Sequence, residues 1–181
     1  NAVLLNEELI ENRLSLGDVV SRLADLVAAR ATKGKNFGVA LVPEGLITSV
    51  PELSSLIKEL DTGFVKLGKK KAERMTHDEA LGLLTGWSAA LLQSLPGFIQ
   101  EQLLLPRQSN GKLNIKSVET EKLLATLVGA ELKRRAALGG FTGKYSFVTD
   151  AIDYQARSSL PSNFDCDLAY SHGIAAVSLV A

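Results

Sequence analysis

The most restrictive feature of the sequence is a switch between two hydrophobic periods within its first sixty residues. Leu16, Val19, Val20, Leu23, Leu26 and Val27 recur at helical spacing and predict a helix from Leu16 to about Ala31. Ser15, with Asp18 three places later, is a helix-start signature, and Gly34 marks the exit. The run Phe37-Gly38-Val39-Ala40-Leu41-Val42 is then almost continuously apolar, as expected of a strand covered on both faces. It ends at Pro43-Glu44-Gly45, and a second helix is predicted from roughly Val50 to Leu60, introduced by Ser49 and Pro51. With a short buried strand over residues 2–5, the order is strand, helix, strand, helix, the rhythm of a parallel α/β sheet.

Beyond Leu60 the texture changes. Lys69-Lys70-Lys71 reads as a solvated polar stretch, and Thr76 with Glu79 starts a helix running through Leu81, Leu83, Leu84, Trp87 and Leu91. Pro96 opens a shorter helical segment with Phe98, Ile99 and Leu103. The cluster Pro106 to Gly111 is a turn whose Asn110-Gly111 pair could close a small hairpin between short strands. A long helix covers about Val118 to Leu138, with Leu124, Leu127, Val128 and Leu132 toward a core. Glu131 falls inside that stripe, and Lys133-Arg134-Arg135 suits the helix dipole near the C-terminal end. Tyr145 to Thr149 reads as a strand. Ser162 with Asp165 opens a last helix whose Leu168, Ile174, Ala175 and Val177 face inward. The expected organisation is an α/β domain in two parts, 1–60 and 144–181, interrupted by a mostly helical insertion at 61–143.

Composition narrows the function classes. Lys plus Arg and Asp plus Glu both number 20, so the chain carries no general excess of charge for nucleic acid. No apolar run approaches the ~18 residues that would span a bilayer. The expectation is a soluble protein with neither nucleic acid nor membrane as partner. A single cysteine, Cys166, excludes an internal disulfide framework and points to a reducing compartment. The chain carries no initiator Met and opens into an apolar run, which favours a piece of something longer.

Among candidate residues, Glu44 stands at the carboxyl end of a buried strand before a loop that feeds a helix, where open α/β sheets hold their ligands. A carboxylate there can accept hydrogen bonds from sugar hydroxyls or act as a base. It can equally be a solvated strand end. Arg157, flanked by Ser158 and Ser159, offers paired donors matched to phosphate, or is an ordinary surface arginine. Asp165 in the first turn of the last helix repels an anion, so any phosphate is held by loop side chains. His77 and His172 read as ordinary polar residues, Cys166 as a small core hydrophobe and Trp87 as an anchor of helix packing.

Three groups of residues carry a resemblance. The first is Gly34-Lys35-Asn36-Phe37-Gly38-Val39 with Pro43-Glu44-Gly45-Leu46-Ile47 and Val50-Pro51-Glu52. The second is Gln100-Glu101-Gln102-Leu103-Leu104-Leu105 with Glu119-Thr120-Glu121-Lys122-Leu123-Leu124. The third is Tyr154 and Arg157 followed by Leu160-Pro161-Ser162-Asn163-Phe164-Asp165. In this order and spacing the chain resembles the phosphofructokinases, in particular the long pyrophosphate-dependent type, over nearly its whole length. The second group is similar to an insertion found in the long enzymes.

The resemblance implies a Rossmann-like parallel sheet layered with helices. It also implies the later part of an enzyme that phosphorylates fructose 6-phosphate at the 1-position, reversibly, with magnesium pyrophosphate as donor. By position, Glu44 matches the acid that binds the sugar hydroxyls, and Tyr154 and Arg157 match the pair that contacts the sugar phosphate and ring. The donor loop, the catalytic Asp and the acid that holds Mg2+ have no counterpart here, so catalytic and metal-binding residues are expected outside this chain, which alone should be inactive. The expected setting is a cytoplasmic homo- or hetero-oligomer. The alternative is a non-catalytic regulatory subunit, or effector-binding domain, of the same family.

Overall fold

The computed structural model describes residues 1–67, 76–152 and 158–180. The three lysines at 69–71 lie outside them. Helices make up 62% of the described residues, beside a two-stranded parallel sheet, an arrangement compatible with α/β. Two compact units are formed, Asn1–Thr149 and Asp150–Ala181.

In the first unit, β1 (Ala2–Val3) leads into α1 (Asn6–Glu11) and α2 (Leu16–Ala31). The start of α2 is fixed by a reciprocal cap: Asp18 N–H donates to Ser15 Oγ, and Ser15 N–H donates back to Asp18 Oδ2 at 2.9 Å. At the far end, Gly34 takes a positive φ of 68° to turn the chain. The Arg30 guanidinium then holds the returning segment by donating twice to the Phe37 carbonyl, at 3.0 and 2.7 Å.

β2 is only Ala40–Leu41, paired in parallel with β1 through Ala2↔Ala40 and Val3↔Leu41. This corrects the expectation of a long strand covered on both faces. Phe37, Val39 and Leu41 are 78%, 61% and 48% exposed, because β1 offers two residues of ladder. The apolar run identified a strand but not what would cover it.

After β2 come α3 (Leu46–Ser49) and α4 (Pro51–Leu67), which buries Leu53, Leu56, Ile57, Leu60 and Phe64 along one stripe. The helix passes the expected end at Leu60, burying Gly63 and Phe64 beyond it. A Cβ on Gly63 would stand 3.0 Å from Leu83 Cδ1. The helix expected from Thr76 through Leu91 is two, α5 (His77–Leu81) and α6 (Gly86–Ser94). Glu59 of α4 restarts the chain as a helix by accepting from Thr85 N–H at 2.9 Å and Ser88 Oγ at 2.8 Å. These bonds, the backbone one foremost, hold the Glu59 carboxyl below its usual range. Trp87, expected to anchor packing, is 70% exposed.

α7 (Gly97–Leu103) follows, then a tight turn at 108–112 in which Gln108 N–H donates to Lys112 O at 2.9 Å. Among the described residues no strands flank it, so the expected hairpin reduces to its turn. Gly111, at φ 76°, lets the chain pass against Val65. A single 3₁₀ turn, Ile115–Ser117, precedes α8 (Thr120–Ala137).

α8 packs along α2. Val19, Leu23 and Ala24 of α2 and Leu124, Val128 and Leu132 of α8 belong to one buried cluster. Glu131, the acid within the apolar stripe, has a use at this seam. It accepts from Arg135 Nε at 2.7 Å, and Arg135 reaches across to Asp25 Oδ1 of α2 at 2.6 Å. The basic run near the end of α8 is thus engaged in pairing as well as sitting near the dipole. The expected strand at Tyr145–Thr149 forms no ladder among the described residues. Tyr145 instead donates its hydroxyl to Gly129 O of α8 at 2.8 Å and stacks obliquely between Phe141 and Phe147.

The second unit, taken by itself, is dominated by α9 (Asn163–Val180). Its expected start holds, with Ser162 N–H donating to Asp165 Oδ2 at 2.8 Å. Its apolar residues Leu168, Ile174 and Val177 are exposed rather than inward, and so is Cys166. Helical spacing defines a shared face, but burial requires a second element in contact with it. No helix among the described residues is long and apolar enough to cross a membrane.

Candidate functional site

Two parallel strands deliver their following residues to the same edge, and the pairing here makes that delivery symmetric. Asn6 follows Val3 by the same three positions as Glu44 follows Leu41, and Val3 and Leu41 are register partners. Asn6 opens α1, while Glu44 sits in the turn between β2 and α3. The carboxyl edge of this sheet therefore carries an amide and a carboxylate side by side in topology, the place where parallel sheets meet their ligands.

The turn is held from below. Leu46 and Ile47, directly after it, are fully buried, and α3 packs against both α1 and α4. The Gly45 carbonyl accepts from Thr48 N–H and Ser49 N–H at 3.0 and 3.1 Å, and from their hydroxyls at 2.8 and 3.0 Å. Leu46 N–H closes the turn onto Pro43 O at 3.1 Å. Glu44 is thereby presented at the surface on an anchored base.

From the other side the turn is pressed by Asn6. A Cβ at position 45 would lie 2.6 Å from Asn6 Nδ2, so any larger residue there would force that amide or the turn to shift. The opposite atom, Asn6 Oδ1, is buried without a hydrogen-bond partner. Asn6 was not singled out in the sequence. Its only signal there is its place after an apolar run, which any strand end shares.

Of the three residues expected to meet substrate, the described structure contains Glu44. Tyr154 and Arg157 lie outside the described residues. The loop's downstream border is visible in the Ser162–Asp165 cap, where bonds from the Ser162 hydroxyl and then its backbone hold the Asp165 carboxyl below its usual range. That acid occupies the first turn of α9, as the sequence indicated.

The second motif group does come together. Gln102 Nε2 donates to Glu119 Oε2 at 2.8 Å, while Glu119 N–H donates to Gln102 Oε1 at 2.9 Å. Lys122 also donates to Glu119, and these contacts, that of Lys122 foremost, hold the Glu119 carboxyl below its usual range. Leu103 and Leu123 are buried beneath this clasp. His77 is similarly structural: its Nε2 lies 2.8 Å from Gln100 Oε1, linking α5 to α7. Among the described residues no group of three or more His, Cys, Asp or Glu side chains draws together.

The features so far define an α/β polypeptide with a carboxylate turn at the carboxyl edge of a parallel pair. No family model matches the chain. Individual proteins do. It is 43% identical over 174 residues to pyrophosphate–fructose 6-phosphate 1-phosphotransferase subunit alpha 2 of Arabidopsis thaliana, covering 96% of this chain and 27% of that protein. It is 37% identical over 186 residues to subunit beta of the same enzyme from Solanum tuberosum, covering 99% of this chain and 31% of that protein. With the pyrophosphate–fructose 6-phosphate 1-phosphotransferase of Treponema pallidum it shares 35% over 183 residues, or 97% of this chain and 31% of that protein. These relatives are pyrophosphate-dependent phosphofructokinases, matched at 35–43% identity over about 96–100% of this chain. It spans between 27% and 34% of the length of the curated relatives it matches.

Proposed function

We propose that this chain is the sugar-phosphate-binding part of a pyrophosphate–fructose 6-phosphate 1-phosphotransferase, an enzyme that converts fructose 6-phosphate to fructose 1,6-bisphosphate with pyrophosphate as donor. The observation that carries this reading is similarity over 96–100% of the chain to proteins of that name. The Glu44 turn supports it physically. An exposed carboxylate can accept hydrogen bonds from adjacent sugar hydroxyls, and a turn whose base is already ordered loses little entropy on binding.

In this reading Tyr154 and Arg157 hold the phosphorylated end of the sugar. A guanidinium fork matches phosphate oxygens, and a phenol adds one donor at fixed reach. Magnesium, when bound, neutralises charge on the transferring phosphoryl group. The described residues do not offer it a set of donors, so we assign its ligands, the donor loop and the general base to other parts of a longer polypeptide. The complete sheet is then Rossmann-like, interrupted by the helical stretch 61–143, in a cytoplasmic oligomer. This chain alone performs no turnover, because it positions one reactant only.

A second reading is a non-catalytic regulatory subunit. The relatives include two kinds of subunit, with identity 41–43% to those named subunit alpha and 36–37% to those named subunit beta. Kinetics and calorimetry on the full-length polypeptide separate the readings. Losing one hydrogen bond to a charged group costs about 1.5–3 kcal/mol, so Glu44→Gln and Arg157→Ala should each raise KM for fructose 6-phosphate by about tenfold or more. KM for pyrophosphate should not move. Turnover with unchanged KM in both variants would overturn the site. Absence of turnover in the wild type, with heat of sugar-phosphate binding that both variants abolish, would favour the regulatory reading.

A further inference from the structure

Gly45 is a glycine that its own backbone does not require. Its φ of −76° and ψ of 0° are open to any residue. The space where a side chain would stand is taken by the Asn6 amide. A Cβ there would lie 2.6 Å from Nδ2, 3.5 Å from Cγ and 3.7 Å from Oδ1. The amide is thus seated on the residue directly after Glu44, and the pairing of Val3 with Leu41 sets the two chain ends level.

Asn6 is a poor choice for stability alone. Its Oδ1 is buried without a hydrogen-bond partner, and a buried acceptor left unmade is destabilising. The packing of α1 on α3 has other sources, since Leu9, Leu46 and Ile47 are all buried. A polar group that costs stability amid sufficient apolar packing is characteristic of a site rather than of a core.

We propose that Asn6 is a positioning residue for the sugar phosphate: seated against Gly45, its amide sets where the Glu44 turn stands at the carboxyl edge of the sheet. The proposal deepens, and rests on, the reading in which Glu44 meets the sugar hydroxyls. Asn6 acts through Gly45 on the acid that binds. Binding groups work only within about 0.5 Å of their productive geometry. Relieving a 2.6 Å contact to the ordinary separation of about 3.5 Å takes a shift of about 0.9 Å, which exceeds that tolerance.

Calorimetric titration of fructose 6-phosphate into the full-length polypeptide, with melting temperatures measured in parallel, tests this. Gly45→Ala pushes the turn away from the amide, and Kd should rise about tenfold. Asn6→Ala withdraws the support, and Kd should rise about three- to tenfold. With both substitutions the methyl at position 45 takes up part of the vacated space, and Kd should return to within about threefold of wild type. The melting temperature of Asn6→Ala should equal or exceed that of wild type, because the unsatisfied acceptor is gone. Wild-type affinity in Asn6→Ala would overturn the proposal. So would a loss of affinity that comes with a lowered melting temperature, or with an equal loss for pyrophosphate, and that Gly45→Ala does not restore. Glu44→Gln separates the proposal from the reading beneath it. Weakened binding in Glu44→Gln beside wild-type binding in Asn6→Ala removes the positioning role and leaves the site. Unchanged binding in Glu44→Gln, or no binding by the wild type, removes both.

Discussion

Replacing Gly45 by alanine tests how the candidate turn is held. The backbone there has φ −76° and ψ 0°, an ordinary right-handed conformation, so alanine enters without strain. Lost freedom in the unfolded chain would by itself stabilise the variant by about 0.4–1 kcal/mol. The new methyl, however, would stand 2.6 Å from Asn6 Nδ2 and 3.5 Å from Asn6 Cγ. Non-bonded heavy atoms settle at about 3.5 Å or more, so the amide or the turn must shift. Overfilling a packed site costs about 1–3 kcal/mol, which set against the entropic gain leaves a net loss of up to about 2.6 kcal/mol. Asn6→Ala removes the obstructing amide, and in that background Gly45→Ala should be neutral or stabilising. A double-mutant cycle by urea denaturation should therefore return a coupling of about 1–3 kcal/mol. If Gly45→Ala changed stability equally in both backgrounds, Asn6 would not be what shapes the turn.

Two further predictions concern the helical part. Arg107 Nε lies 2.6 Å from Asp61 Oδ1, with side-chain exposures of 5% and 20%, and its guanidinium lies 4.1 Å from the Phe64 ring centroid. The N–H is poorly aligned with that contact, and burial pulls the guanidinium below its usual pKa despite Asp61. Asp61→Asn should strand the buried charge and cost about 3–5 kcal/mol in chemical denaturation, and a cost below about 1 kcal/mol would show the pair dispensable. Glu131 is the acid-sensitive group at the α2–α8 seam: hydrogen bonds from Arg134 and then Arg135 pull its carboxyl from 4.5 to about 2. A depressed carboxylate contributes stability above its unfolded pKa and loses it as pH falls through the folded one. Glu131→Gln should therefore flatten the fall in melting temperature between pH 4.5 and about 2, and an unchanged slope would assign that fall to other groups.

Local signals were read well where a short stretch settles the outcome. The Ser15–Asp18 and Ser162–Asp165 caps are three-residue devices, and both form where their spacing placed them. The same holds for α2, whose period and exit glycine lie within its own segment. The placement of Glu44 in a turn after an apolar strand was legible for the same reason, and the order of motifs carried the family.

Other features depended on partners distant along the chain. The apolar run at 37–42 has the composition of a covered strand, yet β1 supplies two residues of pairing, and Phe37 and Val39 remain exposed. The break in the Thr76–Leu91 stretch was missed because Glu59, which caps the helix restarting at Gly86, reaches Thr85 from elsewhere. Asn6 gained its place beside Gly45 only once two parallel strands set their ends level. Caps, periods and turns are short-range and belong to the sequence. Which surfaces are buried, which charge finds a counterion and which side chains share an edge are decided by how separate segments meet.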